Sequence, residues 1–404
     1  MEDSQTGVRR EDGVNLLGKL DITIYYLLML YALASSISIA AANITISLAA
    51  LLAIVRHSKE PVPVIWDKSL VRAMGVFLVA VFISAVFAYK PSAGFDSLFA
   101  DIYRMLPLFL AIAFIRDKEG LLKILIVMAS SIFISDSYAI WQGTHGSYGA
   151  TGFSGHIMML AGYLVQMIPL LLIVGLENKF IGTKLTVFFV STALISCVAL
   201  LYNGTRGAWL AVFVTCLVYS TLSIKENKKI AISILTVCLC TGILAVNIPT
   251  VKERVQSLAN FPSSSGDRLA LWTSAWHMFQ DHPLVGVGPG NFPVVYVSHY
   301  ILPQAKEPNL VHAHNNFMHM LAETGILGIC AFLYMFGYIL VTMYHRYRLN
   351  SQDTWALAAF LVTISLLIQG MTEYNFGSSA VIRMYWFIMG IVYAAFRICD
   401  SSSD

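Results

Sequence analysis

Charge is what this 404-residue sequence has least of: Asp, Glu, Lys and Arg make up 12% of it, about half the share of an ordinary soluble domain. So few charges cannot cover a chain that is 57% hydrophobic, so most of its surface must face something other than water. The net charge of +3 is too small to call for nucleic acid, and no basic stripe with interleaved aromatics occurs. The six cysteines (197, 216, 238, 240, 330 and 399) lie within or at the ends of apolar runs, with no CxxC pair. That excludes a disulfide framework or a zinc site and leaves small apolar packing residues. The H-E-x-x-H, H-x-x-E-H, DxD and P-loop patterns are also missing, and the first outer loop has no acid. Metal catalysis through a carboxylate cluster therefore has no sequence basis, and neither a metal nor a cofactor is expected. No internal repeat is visible, which counts against an inverted-repeat transporter.

Long apolar runs fill the chain instead. Twelve approach the length that crosses a bilayer, about 20 residues: 22–40, 42–55, 69–88, 98–115, 121–141, 157–176, 185–202, 208–223, 230–246, 317–342, 355–372 and 380–397. The expected fold is an all-α polytopic membrane protein of about twelve spans. Only Ala41–Asn43 is available to turn the chain between the first two. Met1–Lys19 is polar and reads as a cytoplasmic tail rather than a removable signal peptide. With that end inside, 18 of the 26 basic residues fall on inner segments, the asymmetry expected of cytoplasmic loops. Both termini are then cytoplasmic. The chain divides into spans one to nine (1–246), a large outer loop region (247–316), and spans ten to twelve with a cytoplasmic tail (317–404).

Three outer positions carry chemistry. Arg206 lies in the hairpin Asn203-Gly-Thr-Arg-Gly207, where Thr205 can cap the eighth span. The N-terminal dipole and free N–H groups of that helix then face outward beside the guanidinium. This is either a phosphate-type anion site or an arginine snorkelling at lipid headgroups. In the outer loop Leu269, Trp272, Trp276 and Phe279 take the spacing of an amphipathic helix, with Asp267 as its cap and Arg268 at its start. Its aromatic face is expected on the membrane surface or across the mouth of the bundle. The third position is Val311-His-Ala-His-Asn-Asn316, leading into the tenth span. His314 stands about three turns above Gly325, and Gly325 and Gly328 would give a smooth stripe for a close helix neighbour. A neutral imidazole there is either a structural cap or a general base. His312 and Asn315 would orient substrate or satisfy helix-end backbone. His319 and Glu323 are ionisable groups inside the tenth span, and Arg104 is expected to pair with Asp101 or Glu373.

At these residues the sequence resembles the O-antigen ligase family, within the superfamily that includes O-antigen polymerases. The resemblance is carried by Gly266-Asp-Arg-Leu-Ala-Leu-Trp272, Gly286-Val-Gly-Pro-Gly-Asn-Phe292, Arg206 with Leu210, and His314-Asn315 followed by Gly325 and Gly328. It implies a polytopic, GT-C-like glycosyltransferase at the periplasmic face of a bacterial inner membrane. Such an enzyme moves a polysaccharide from undecaprenyl diphosphate onto a sugar of lipid A–core, without metal, among membrane lipids. In that frame Arg206 and Arg268 hold the diphosphate, His314 is the general base, and His312 and Asn315 contact substrate. A polymerase using the same donor is the nearest alternative. A transporter or lipid flippase is the alternative of another class, and it predicts mid-membrane charges that most spans lack.

Overall fold

The structure, a computed structural model, describes residues 2–62, 64, 66–146, 149–177, 181–224, 227–247, 261–303, 305, 310–350 and 353–400. Side chains within 2–15, 237–240, 244–247 and 261–267 and at position 233 are outside that description. Lys179, Lys225, Lys252, Arg254 and Lys306, all part of the charge-asymmetry argument, also lie outside the described residues. The protein is all-helical, 82% helix with no strand among the described residues.

Each apolar run forms one helix: α1 (Glu2–Ala34), α2 (Ile39–Lys59), α3 (Lys68–Val86), α4 (Pro91–Phe114), α5 (Lys118–Thr144), α6 (Ile157–Glu177), α7 (Thr183–Asn203), α8 (Arg206–Ser223) and α9 (Lys228–Asn247). After the outer-loop helix α10 (Phe261–Asp281) come α11 (Asn316–Leu349), α12 (Thr354–Gln369) and α13 (Ser379–Asp400). Among the described residues ten helices are long and apolar enough to cross a membrane, and α12 is a shorter apolar helix. Burial sets the layers: 83% of the apolar window of α6 and of α13 is covered by protein, against 22% for α1 and α2. Ile44, Ile54, Val79, Phe87 and Val187 stay exposed on the outside of the bundle, as residues that meet lipid rather than water do.

Two expectations about boundaries need correction. The turn between the first two spans is at residues 35–38, not Ala41–Asn43, because Ser38 caps α2 by accepting from the Ala41 N–H (3.3 Å). A capping serine decides the boundary where hydropathy is continuous. In the outer loop α10 already begins at Phe261, so Asp267 is not its cap and Arg268 lies in its second turn. The face of α10 that packs is Leu271, Ala275 and Met278, while Leu269 and Trp276 remain exposed. Trp272 donates its indole N–H to the Ala313 carbonyl (3.0 Å), tying α10 to the segment that carries His314.

The Gly325–Gly328 stripe is corrected as well. α11 is broken at Gly325, whose φ of 60° and ψ of −159° belong to a region open essentially only to glycine. The loop after α10 fills the break. The N–H groups of Ile326 and Leu327 donate to the carbonyls of Pro283 (2.8 Å) and Leu284 (3.3 Å), and the Ala322 and Glu323 carbonyls accept from Val287 (3.0 Å) and Gly288 (2.8 Å). Breaking a helix frees backbone groups that must find partners when buried; here the inserted loop answers these four, and the Ser84 hydroxyl of α3 donates to the Thr324 carbonyl (3.4 Å). The Glu323 side chain completes the clasp, accepting from the N–H groups of Gly290 and Phe292 (2.9 Å each) and lying 3.2 Å from His319 Nε2.

Candidate active site

His314 is the one non-glycine residue with positive φ among those described (47°), a conformation uncommon outside glycine. It therefore does not top a regular helix: Asn315 is the N-cap of α11 and the helix starts at Asn316. Asn315 spends its side chain on that cap, with Oδ1 accepting from Phe317 (2.8 Å) and Met318 (3.1 Å) and Nδ2 donating to the Met371 carbonyl (2.9 Å). Of the two roles the sequence left open for Asn315, the helix-end one is what the geometry displays. Asn316 anchors the same corner through its N–H to the Gly370 carbonyl (2.7 Å) and its side chain to Asn375 (2.7 Å).

The partner that sequence reasoning missed is Glu373, in the turn between α12 and α13. His314 Nδ1 lies 3.0 and 3.2 Å from the two Glu373 oxygens. Burial pushes the Glu373 carboxyl up, but the His314 hydrogen bond and the charges of His314, His312 and Arg268 outweigh it and hold the carboxyl below its ordinary value. A carboxylate accepting from Nδ1–H fixes the tautomer, leaving Nε2 as a proton acceptor. His312 is an edge-on neighbour, its ring centroid 4.2 Å from that of His314. Burial, and then the His314 charge, lower the His312 pKa to about 4, against the pull of Glu373. His312 is thus neutral at pH 7, and its Nδ1 is buried without a hydrogen-bond partner. Ligand atoms of His312, His314 and Glu373 all lie within 4.8 Å of one another, close enough to share a metal ion.

The two arginines approach the same turn from other helices. Arg206 occupies the first turn of α8; Thr205 is at the N-cap but makes no side-chain cap bond, its hydroxyl instead lying 4.0 Å from Met158 sulfur. The expected threonine cap is absent, so the open N–H groups of that turn are left for something else. Arg206 Nη1 is buried with no hydrogen-bond partner. Gly207 packs so tightly on Thr372 that a Cβ there would collide with Thr372 Oγ1, which sets the start of α8 beside Glu373. Arg268 acts on the Glu373 carboxylate through its charge. The turn 372–373 thus gathers the starts of α8 and α11 and the second turn of α10. Arg104 pairs with Asp101 (2.7 Å), one of the two partners expected for it.

Residues 191–333 match the family model described as O-antigen ligase. This segment is of the O-antigen ligase family. It contains Arg206, Arg268, His314 and both halves of the loop-in-helix clasp, whereas Glu373 lies beyond it. The chain is similar to an O-antigen ligase of Salmonella typhimurium, 24% identical over 183 residues, covering 44% of either protein. It is also similar to a teichuronic acid biosynthesis protein of Bacillus subtilis, 26% identical over 138 residues, covering 33% of this chain and 27% of that one. The similarity spans less than half the length of each of these relatives.

Proposed function

We propose that this O-antigen ligase family protein is a GT-C-like glycosyltransferase of the periplasmic face of a bacterial inner membrane, with both termini cytoplasmic. Its large loop region, 247–316, separates spans one to nine from the last three and supplies part of the active site. Its donor is a polysaccharide on undecaprenyl diphosphate and its acceptor a sugar hydroxyl of lipid A–core. The observation that carries this reading is the convergence on residues 372–373: an unpartnered guanidinium nitrogen at a helix start, a second arginine, and a histidine held by a carboxylate.

In the reaction His314 Nε2 takes the proton of the acceptor hydroxyl as its oxygen bonds to the anomeric carbon. The bond from that carbon to the diphosphate breaks, and its electron pair leaves on the diphosphate oxygen. Arg206 and Arg268, with the open N–H groups of α8, bind that charge as it develops. His312, neutral at pH 7, lines the approach to His314. Asn315 shapes it through the α11 cap. Arginines in place of Mg²⁺ make the transfer metal-independent: full activity in chelator is expected, and inhibition reversed by a divalent ion would assign one to His312, His314 and Glu373.

A gene deletion tests the reaction. A ligase mutant shows bare lipid A–core while long polymer still accumulates on the lipid carrier. Single repeat units on the carrier would mark a polymerase, and normal lipopolysaccharide would overturn both. The Bacillus relative favours a second reading, transfer of a secondary wall polymer; unchanged lipopolysaccharide with a lost wall polymer would select it. Arg206→Ala and His314→Ala should each abolish transfer in protein that still reaches the membrane.

A further inference from the structure

Thr372, Glu373 and Tyr374 are consecutive, and each meets a different part of the protein. Thr372 meets Gly207 beside Arg206, and Glu373 meets His314. Tyr374 walls a cavity of about 160 Å³ whose other chemistry-bearing walls are Ser97, Asp101, Arg104, His319 and Glu323. The Tyr374 ring connects this cavity to His312, the neighbour of the base: its centroid is 3.7 Å from that of His319 and 5.8 Å from that of His312. The reaction proposed above does not use this space.

We infer that the cavity is the subsite for a sugar ring of the acceptor, with Arg104 as the residue that binds its hydroxyls; the inference rests on the transfer reading. Charge balance sets the ligand class. The walls pair each acid with a basic side chain, Asp101 with Arg104 (2.7 Å) and Glu323 with His319 (3.2 Å), so the site has no excess positive charge to attract a phosphate or a carboxylate. It suits a neutral ligand rich in hydroxyls. The Glu323 oxygens are already committed to Gly290, Phe292 and His319, which makes that pair a fixed wall. Arg104 is different. Its Nη1 holds Asp101, while its Nε is buried with no partner. A buried donor left unanswered costs stability, so a purely structural arginine would be expected to close that gap. Position agrees with chemistry, since the acceptor must approach the base from a side the diphosphate does not fill.

The test is a steady-state assay of the full-length protein in detergent. Purified lipid A–core lacking polymer is varied at fixed donor, and polysaccharide on undecaprenyl diphosphate at fixed acceptor. Arg104→Gln should raise KM for the acceptor about ten- to a hundred-fold, the loss expected of one charged hydrogen-bonding group, with KM for the donor unchanged. Because Arg104→Gln strands the Asp101 carboxylate, the double variant Asp101→Asn/Arg104→Gln, which removes both charges, is assayed alongside it. Val311→Trp, at the exposed rim of the same cavity, should raise acceptor KM by obstruction. An unchanged acceptor KM in folded double variant and in Val311→Trp overturns the subsite, as does an equal rise in both KM values. If the wild-type protein transfers nothing between these substrates, the transfer reading itself fails and the subsite with it.

Discussion

Replacing Glu373 with glutamine keeps the size and shape of the side chain and removes its charge, so it isolates what the carboxylate does for His314. Two effects are lost together. An amide can offer an N–H toward Nδ1, which favours the tautomer whose proton sits on Nε2, where the acceptor hydroxyl must be deprotonated. The imidazolium formed during transfer also loses its counter-charge, whose nearest oxygen is 3.0 Å from Nδ1. A charge pair about 4 Å apart at an effective dielectric near 20 is worth about 4 kcal/mol, or about a thousandfold in rate. His314 retains 21% side-chain exposure and Glu373 8%, and the water reaching the pair trims the effect toward a hundredfold. Glu373→Gln should therefore lower kcat by a factor of about 10² to 10³, with donor KM unaltered because Arg206 and Arg268 stay in place. The assay is initial-rate transfer at saturating donor and acceptor, with His314→Ala and the double variant measured beside it. Residues that act as one unit lose activity non-additively, so the double variant should be no slower than His314→Ala. Retention of more than about a tenth of the wild-type kcat by Glu373→Gln, or a double variant slowed by the product of the two factors, would refute the pairing.

Two further perturbations read the scaffold. Gly325→Ala places a Cβ about 2.5 Å from the Leu284 carbonyl carbon in a backbone region that costs a non-glycine residue about 1–3 kcal/mol; a marked fall in melting temperature in detergent is expected, and an unchanged one would contradict a tight clasp. His312 has a folded pKa of about 4 against an ordinary 6.5, so the unfolded chain binds more protons between those values. Its contribution to stability is therefore full above pH 6.5 and declines as pH falls toward 4; the melting temperature should drop across that window, and His312→Gln should flatten the slope. Equal slopes would contradict a buried neutral His312.

How much of this could be read in the sequence follows from which interactions are local. The twelve apolar runs were legible because bilayer-length hydrophobicity is a property of one segment at a time. Arg206 at the head of α8 was legible for the same reason, since a Gly-Thr-Arg turn between two spans marks its own boundary. The turn at Ser38 was missed because a side-chain cap outweighed an even hydropathy profile. The α10 start was missed because Asp267 looked like a cap within a helix that begins at Phe261. Glu373 was offered only to Arg104 because its actual partner, His314, lies 59 residues away; the one available signal was a carboxylate in the outer turn between two strongly apolar runs. The spacing of Gly325 and Gly328 was read as a stripe for a close helix neighbour, and nothing local announces that a loop from about 40 residues upstream fills the break.

The clasp and the strained histidine belong to one mechanical arrangement. The short upper piece of α11, from Asn316 to Thr324, is held at its lower end by Val287, Gly288 and the Glu323 contacts to Gly290 and Phe292. At its upper end Asn315 and Asn316 fasten it to Met371, Gly370, Asn375 and Phe376. His314 sits directly above that piece in a left-handed conformation, which persists only where the surroundings over-determine it. Anchors on both sides supply that constraint. Because the upper anchors are in the same turn as Glu373, whatever fixes α11 also fixes the distance between the base and its carboxylate. A continuous helix could span the membrane equally well, yet it would leave His314 fastened at one end only. The break at Gly325 thus serves the geometry of His314 from the far end of that piece.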